Sequence, residues 1–388
     1  MFVKHLTLSH FRNHKNTDLP LEPGVNLLVG PNGQGKTNVV EAIEYVSTLS
    51  SHRVAGYQAL INKDASGAII RLKVSHQDRD VLVDIELSRE NQNQLRINQS
   101  PVSRMRDVLG TVQSVVFAPE DIDIVKRDPS NRRAFIDQLL IQLTPRMAGV
   151  IADYERVLKQ RNTLLKTARA TGTKGSALST LDAWDESLIK FGSEIVQARL
   201  SLLERIKPYL TEAYQAIAIA NNEPNVLMKS SLLGAQVVDD FEEAELEFLE
   251  ITKSDSVPEL YREKLVSVRQ KELDRGITLI GPHRDDLVLL LGDLPAKGYA
   301  SHGESWSYAL ALRLASARLL SEESTTGDPV VILDDVFAEL DASRRQRLAE
   351  LVSGNEQVII TAAVAEDVPS TLKATVYEVS KGEVKRVG

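Results

Sequence analysis

The stretch that decides the fold is Gly30-Pro-Asn-Gly-Gln-Gly-Lys-Thr37, which fits the pattern Gly-x-x-x-x-Gly-Lys-[Ser/Thr]. An apolar run from Val25 to Val29 precedes it, and a segment with apolar residues at helical spacing follows it. Glycines let backbone N–H groups surround a phosphate, and the start of the following helix adds positive potential. The sequence therefore predicts a phosphate-binding loop (P-loop) between a strand and a helix. The alternative is a glycine-rich turn without a ligand.

The predicted P-loop assigns roles to its two polar end residues. Lys36 would neutralise charge at the β- and γ-phosphates of ATP, and Thr37 would ligate Mg²⁺. The predicted nucleotide-binding residues are Gly30, Pro31, Asn32, Gly33, Gln34, Gly35, Lys36 and Thr37.

An acidic pair far along the chain offers the partner that a P-loop needs. Asp334 and Asp335 follow the apolar run Val330-Val-Ile-Leu333. We expect Asp334 to hold Mg²⁺ and Asp335 to act as the catalytic residue that polarises the attacking water. The alternative is a strand end that two acids merely cap. Because most of the chain lies between Lys36 and Asp334, the ATPase core must be split by the segment between them.

A third element, Ser301-His-Gly-Glu304, begins a long apolar helical pattern. A Ser-x-Gly-[Gln/Glu] element can present a hydroxyl and N–H groups to the γ-phosphate of a nucleotide held by another subunit. We therefore predict dimer contacts at Ser301, Gly303 and Glu304, and at Asp341 in the turn after the acidic strand. The alternative is that Ser301 and Glu304 form a capping box, which is common at helix starts.

The order of strand and helix patterns predicts the domain organisation. Strand patterns fill the first 120 residues, helical patterns run from Ser130 to Ile219, and strand patterns then return. We expect an α/β fold: a split P-loop ATPase head, with a mixed sheet and helices, and an inserted, mainly helical second lobe. The predicted boundaries are 1–125 and 271–388 for the head and 126–270 for the lobe.

The sequence also predicts several local features that matter less for function. They are a strand from Ile277 to Ile280, loops at Thr171 to Ser176 and Asn221 to Pro224, a solvated acidic helix face from Asp239 to Glu250, and a closing hairpin at Ser380-Lys-Gly382.

Composition excludes several classes of protein. The 388 residues include no cysteine, so disulfides, thiolate metal sites and cysteine nucleophiles are excluded. No apolar run approaches the twenty or so residues of a membrane span. The net charge of −8 argues against a protein that coats nucleic acid over its whole surface. We expect a soluble, cytoplasmic protein without a membrane partner.

One helical segment nevertheless carries a basic face. On a helical wheel Arg156, Lys159 and Lys166 lie together, opposite apolar residues, and could contact DNA phosphates. The alternative is an ordinary solvated charged face. Arg161 falls among the apolar residues instead, so we expect a paired arginine in the core. The segment Gly281-Pro-His-Arg-Asp-Asp286 lies between two predicted strands and could be only a hairpin loop, and chemistry alone gives no role to His283 or Arg284.

Taken with their spacing, these motifs resemble the SMC-like branch of the ABC ATPases, and within it the bacterial recombination proteins. The resemblance covers most of the chain except about 170 to 270. It is carried by Phe11-Arg-Asn13, the P-loop with Thr37-Asn38, Ser51-His-Arg53, Val116-Phe-Ala-Pro-Glu-Asp121, Gln160-Arg-Asn162, Gly281 to Asp286, the Ser301 element, and Leu333 to Asp341.

The resemblance implies a cytoplasmic homodimer that forms on ATP, with ATP and Mg²⁺ as ligands, and that binds double-stranded or gapped DNA. It also implies work with RecR and RecO at single-strand gaps, help in loading RecA, and weak, DNA-stimulated ATP hydrolysis that acts as a switch.

Three positions depart from the wider ABC pattern. Asp335 stands where most members have Glu, Thr361 stands near the place of a histidine in transporters, and no glutamine follows Val115-Val-Phe117. These departures argue against the turnover of a transporter. A small-molecule kinase and a transporter-type ATPase subunit remain the alternatives. A kinase has no use for the Ser301 element, and a transporter subunit would bring the P-loop and acidic strand closer together. A GTPase is disfavoured because Asn62-Lys-Asp64 lacks the spacer of a guanine-binding motif.

Overall fold

A computed structural model describes residues 1–76, 79–172, 179–218, 222–233, 256–324 and 326–387. The predicted acidic helix face from Asp239 to Glu250 lies outside the described residues. So do most of the predicted loop from Thr171 to Ser176 and the first residue of the predicted loop from Asn221 to Pro224. Among the residues that are described, we find no helix with the length and apolar content that a membrane span requires.

Strands and one helix fill the first part of the chain, helices dominate the middle, and strands and helices mix in the last part. The strands are β1 (Phe2–Phe11), β2 (His14–Pro20), β3 (Gly24–Val29), β4 (Gly67–His76), β5 (Arg79–Ser88), β6 (Gln94–Ile97), β7 (Ser100–Val102), β8 (Ser114–Phe117), β9 (Pro224–Lys229), β10 (Asp286–Leu291), β11 (Leu294–Pro295), β12 (Val330–Asp334), β13 (Gln357–Ala362), β14 (Ala374–Ser380) and β15 (Glu383–Arg386). The helices are α1 (Lys36–Thr48), α2 (Ile122–Lys126), α3 (Pro129–Leu143), α4 (Met147–Thr171), α5 (Ser179–Ile217), α6 (Val257–Arg275), α7 (Ala296–Tyr299), α8 (His302–Glu323) and α9 (Ala342–Val352).

The chain forms two compact units. The first contains Met1–Val125, Pro208–Asn222 and Ala300–Gly388, and the second contains Lys126–Lys207 and Glu223–Tyr299. The predicted division differs from this one at 208–222 and 271–299. The cause is long-range pairing: β10 pairs with β9, so the residues before and after β10 belong to the second unit. In the first unit the end of α5 packs with Tyr214 edge-on to Tyr308 of α8.

The first unit contains a six-stranded sheet with the strand order β15-β14-β3-β13-β12-β8. All neighbours in it are parallel except β14 and β15, which form the predicted closing hairpin. The strand β13 lies between β3 and β12, with Thr361 opposite both Leu28 and Asp334. Because parallel strands end at the same edge, the P-loop after β3 and the acids after β12 meet at one edge of the sheet.

The first unit also contains an antiparallel sheet of order β2-β1-β4-β5-β6-β7, and the second unit contains the small sheet β11-β10-β9. Alternation along β4 buries Ala68, Ile70, Leu72 and Val74 while the residues between them stay exposed, as period-two patterning predicts. Apart from this sheet, the elements that the structure describes in the second unit are helices. This arrangement confirms the predicted α/β class with a mixed sheet.

The predicted strand from Ile277 to Ile280 is wrong. Its backbone N–H groups bond to side chains instead of a neighbouring strand: Thr278 N donates to Asn162 Oδ1 at 2.7 Å, and Leu279 N donates to Glu272 Oε1 at 2.8 Å. Apolar alternation alone cannot reveal such partners, because they come from helices distant in sequence.

Candidate nucleotide-binding site

The P-loop runs from the end of β3 to Lys36, the first residue of α1. Gly33 and Gly35 have φ values of +80° and +118°, a region that favours glycine. A Cβ added to Gly35 would lie 2.7 Å from His14 Nε2, and one added to Gly30 would overlap the carbonyl oxygen of Val379. The glycines of the motif are therefore required both by backbone conformation and by close packing.

Two hairpin turns hold the P-loop from either side. From the turn between β1 and β2, Asn13 Nδ2 donates to Gln34 O at 2.9 Å, and the His14 ring lies 3.0 Å from Gly35 O. From the turn between β14 and β15, Gly382 N donates to Gln34 O at 3.0 Å. Burial lowers the pKa of His14, so its ring serves as a neutral hydrogen-bonding group. The loop's shape is thus set by residues from both ends of the chain.

Lys36 lies inside the P-loop and is 3% exposed. Its Nζ donates to Gly30 O at 2.8 Å and is 3.4 Å from both Pro31 O and Asn32 Oδ1. A buried ammonium whose hydrogen-bond acceptors are neutral oxygens is matched to an anionic ligand, since phosphate oxygens would bond to it directly with the opposite charge.

The structure brings together Thr37 and Asp334, the two residues predicted to hold a metal ion. Thr37 Oγ1 donates to Asp334 Oδ1 at 3.0 Å, although nearly the whole chain separates them. A hydroxyl and a carboxylate are hard oxygen ligands, and Mg²⁺ at such sites is completed by phosphates and water. In the described part of the chain, no group of three or more metal-ligating side chains occurs. A Mg²⁺ ion bound mainly through nucleotide phosphates needs no such group, so these residues fit it.

Two neighbours of Asp334 were not assigned roles from the sequence. Thr361 Oγ1 donates to Asp334 Oδ1 at 2.6 Å, and His52 Nε2 lies 3.6 Å from Asp334 Oδ2. The other ring nitrogen of His52 is 2.6 Å from Glu44 Oε2. Burial alone would lower the pKa of His52, but hydrogen bonds and charges from Asp334 and Glu44 raise it to about 10. His52 belongs to the stretch Ser51-His-Arg53 that carried part of the family resemblance, and that was the only sequence signal for it.

Asp335 lies next to this cluster with an unusual backbone. Its φ is +52°, and its N–H donates to Thr361 Oγ1 at 2.9 Å. Thr361 therefore joins both acids through one hydroxyl. Burial, with the charge of Asp334, raises the pKa of Asp335 against the opposing effect of Lys36. A carboxylate with a raised pKa accepts a proton more readily, which suits a residue that polarises water.

The Ser301 element forms a capping box at the start of α8, as the alternative to a dimer contact expected. Ser301 N donates to Glu304 Oε2 at 2.9 Å, and Glu304 N donates to Ser301 Oγ at 3.2 Å. Ser301 is exposed at this helix end. Capping does not remove it from contact with another molecule, because a hydroxyl oxygen has a second lone pair and a proton to offer.

Asp341 caps the next helix in the same way. Its Oδ1 accepts from Arg344 N at 3.0 Å, which fixes the start of α9. The Arg344 side chain then bonds both to Asp341 and to Ser307 of α8. Sequence reasoning missed Arg344, because a lone arginine on an amphipathic helix carries no motif.

In the second unit, the predicted core position of Arg161 is confirmed. Arg161 is fully buried and donates to Asp185 Oδ1 at 2.7 Å, to Glu272 Oε2 at 2.6 Å and to Thr278 Oγ1 at 2.8 Å. The proposed DNA contacts lie on the other side of α4. Lys159 and Lys166 are exposed, as is Arg156, which also pairs with Asp153 at 2.8 Å.

The segment Gly281 to Asp286 is not a hairpin loop, since no strand directly precedes it. It is a packed turn: Gly281 has φ +122°, and an added Cβ would lie 2.5 Å from the Tyr154 hydroxyl. That hydroxyl is 2.6 Å from His283 Nδ1, and burial lowers the pKa of His283 to about 3. Asp285, also buried, accepts from Ser231 N at 2.8 Å. These contacts assign the turn a structural role in the second unit.

Known proteins resemble this chain along its whole length. The model of the family described as RecF/RecN/SMC N terminal domain matches residues 2–385. The DNA replication and repair protein RecF of Clavibacter michiganensis is 51% identical over 387 residues, covering 99% of this chain and 96% of that protein. The protein of the same name from Beutenbergia cavernae is 49% identical, with full coverage of both chains.

Solved structures support the same family. The recombination mediator protein RecF of the RecFOR pathway, in its ATP form, has a TM-score of 0.86 and 27% identity and covers 100% of this chain and 98% of that one. The Smc head domain of Pyrococcus furiosus has a TM-score of 0.53 at 16% identity, with coverage of 100% and 96%, and supports the fold alone. These likenesses confirm the predicted split ATPase head.

Proposed function

We propose a function for this chain, which belongs to the RecF/RecN/SMC N-terminal domain family. We infer that it is an ATP-dependent, DNA-binding recombination mediator in DNA repair and replication restart. The observation that supports this most is the meeting of Thr37 with Asp334 beside a buried Lys36, at one edge of the sheet. A P-loop without its acidic partner would bind phosphate but would have no second ligand for Mg²⁺.

Within the site, each residue has a defined task. Backbone N–H groups of the P-loop bind the phosphates, and Lys36 neutralises their charge. Thr37 and Asp334 would hold Mg²⁺, which when bound neutralises charge on the β- and γ-phosphates. Asp335 orients and deprotonates the attacking water, and Thr361 keeps the two acids at a fixed separation. The shorter reach of Asp335 compared with glutamate favours slow hydrolysis, as expected of a switch.

The nucleotide would also join two copies of the chain. The exposed Ser301 hydroxyl and the first N–H groups of α8 have the chemistry to bind the γ-phosphate held by a second copy. Asp341 would contact that second copy at the following turn. A closed dimer doubles every DNA contact, so ATP binding in the head would strengthen DNA binding without a new contact in either chain.

For DNA we propose the basic face of α4, formed by Arg156, Lys159 and Lys166. It is exposed, and the net charge of −8 means that phosphate contact must be restricted to local patches of this kind. The further proposals come from the family resemblance: action in the cytoplasm at single-strand gaps with RecR and RecO, help in loading RecA, and stimulation of the ATPase by DNA.

One experiment separates this function from its alternatives. DNA binding is measured with and without ATP across a salt titration, and ATP hydrolysis is measured with DNA, small metabolites and lipid vesicles. We expect ATP to raise the affinity for DNA. We also expect DNA, but neither metabolites nor vesicles, to stimulate ATP hydrolysis. Stimulation by a metabolite with transfer of phosphate would instead establish a kinase, and stimulation by vesicles alone would support a transporter-type subunit.

A further inference from the structure

Arg344 makes an unusual set of contacts in the first unit. It lies near the start of α9, and its backbone N–H and guanidinium both bond to Asp341. Its Nε also donates to Ser307 Oγ of α8 at 3.0 Å. Ser307 is buried, and the Arg344 side chain is only 18% exposed. One side chain thus bonds to the turn at Asp341 and to the helix that begins at Ser301.

Gly303 gives an independent sign of the same arrangement. A Cβ added to Gly303 would lie 2.9 Å from Nη2 of Arg344 and 3.3 Å from its Cζ. The guanidinium therefore lies against the first turn of α8. A larger residue at 303 would have to displace the Arg344 guanidinium from this position.

We propose that Arg344 is a positioning residue that holds Asp341 and the Ser301 element in one fixed arrangement, so that the Ser301 element meets the nucleotide of a second copy while Asp341 meets that copy itself. The proposal deepens the proposed function and rests on it. In this view closure of the dimer requires a preformed surface with two parts, and Arg344 sets the distance between them.

The chemistry of the contacts suits arginine alone. A guanidinium presents several N–H groups in one plane, so it can bond to a carboxylate through one edge and to a hydroxyl through another. A lysine at 344 would keep the charge near Asp341 but has a single terminal nitrogen, which cannot reproduce both contacts in that geometry. The charge of Arg344 also helps to lower the pKa of Glu304, after the larger effect of its hydrogen bonds with Ser301.

The test compares full-length Arg344→Lys and Arg344→Gln with wild type. The matched control is Arg318→Ala, which removes an arginine of α8 that is 66% exposed and pairs with Glu322 in a helix-surface ion pair. Three quantities are measured: the Kd of ATP for the isolated chain, the dimer dissociation constant in saturating ATP by sedimentation, and the melting temperature.

For both Arg344 variants we expect the Kd of ATP to stay within about twofold of wild type, because the P-loop is untouched, while dimer dissociation rises by about tenfold or more. Ser307→Ala should weaken the dimer less, and combining it with Arg344→Lys should add little, because both changes break the same link. Arg318→Ala should leave all three quantities unchanged.

Three results would overturn the proposal and can be told apart. If wild type does not dimerise with ATP at all, the proposed function fails and this inference fails with it. If wild type dimerises and Arg344→Lys dimerises equally well, only this inference fails. If the dimer dissociation constant changes only in proportion to the melting temperature in every variant, Arg318→Ala included, Arg344 has a purely structural role.

Discussion

Replacing Thr361 with valine tests the link between the two acids at the end of β12. Valine keeps the shape of threonine but removes the hydroxyl, which donates to Asp334 Oδ1 at 2.6 Å and accepts from Asp335 N at 2.9 Å. The bond from Thr361 to Asp334 is a hydrogen bond to a charged group. Because Asp334 is only 3% exposed, water would replace the lost hydroxyl poorly.

The magnitude follows from these two contacts. A hydrogen bond to a buried charged group contributes about 1.5–3 kcal/mol, and a buried N–H left unpaired costs about 1–3 kcal/mol. Because the Asp335 backbone shifts to recover part of the loss, we expect Thr361→Val to lower the free energy of unfolding by about 2–4 kcal/mol. Hydrolysis should fall more than ATP affinity, since Thr37 still contacts Asp334 and the P-loop is intact.

The assay is urea denaturation together with steady-state hydrolysis and ATP binding in Mg²⁺. Thr375→Val is the matched control, because Thr375 is a half-buried threonine of β14 in the same sheet. A loss of stability below about 0.5 kcal/mol relative to this control, with unchanged hydrolysis, would refute the idea that one hydroxyl positions both acids.

Three further predictions concern separate parts of the molecule. Asp335→Asn should keep ATP bound and stabilise the dimer, whereas Asp334→Ala should weaken ATP binding in Mg²⁺; equal loss of ATP affinity in both would contradict their separate roles. Arg161→Met should lower the free energy of unfolding by about 3–5 kcal/mol in urea denaturation, because the buried Glu272 loses its cation and Asp185 keeps Arg269 but loses Arg161; a change below about 1 kcal/mol would refute a structural pair. Lys159→Ala with Lys166→Ala should weaken DNA binding without sequence preference and reduce the slope of log affinity against log salt by about one per lysine; an unchanged slope would exclude this face of α4.

The parts of the site that the sequence predicted are those that carry a local pattern. The P-loop has fixed spacing between a strand and a helix, and the acids follow an apolar strand, so Lys36, Thr37 and Asp334 could be assigned together. Their meeting follows from the rule that parallel strands end at one edge of a sheet. The paired role of Arg161 was likewise predictable, because it interrupts an apolar helical stripe.

The contacts that were missed join single residues across long distances in sequence. Thr361, His52 and Arg344 each act through one hydrogen-bonding group, and no spacing rule marks them. The division of the chain into units was also only partly predictable, because the partner strand of β10 is β9, and β9 was not recognised. Side-chain partners such as Asn162 replaced the strand that alternation suggested before Gly281. Pairing choices of this kind depend on tertiary structure, which local pattern does not encode.

The central claim is that ATP is held between the P-loop of one copy and the Ser301 element of another. Lys36→Ala removes the cation of the P-loop, and Ser301→Arg places a bulky cation at the start of α8. Each variant alone should fail to dimerise with ATP, the first because it does not bind ATP and the second because closure is blocked while ATP still binds.

Mixing the two variants tests the claim most directly. In a mixed dimer the intact P-loop of the Ser301→Arg chain faces the intact Ser301 of the Lys36→Ala chain, so one complete site is restored. We predict that sedimentation of the two differently labelled variants together shows ATP-dependent mixed dimers. Neither variant alone should form dimers with ATP. Absence of the mixed dimer, or dimerisation of Ser301→Arg by itself at the wild-type level, would contradict a nucleotide shared between two copies.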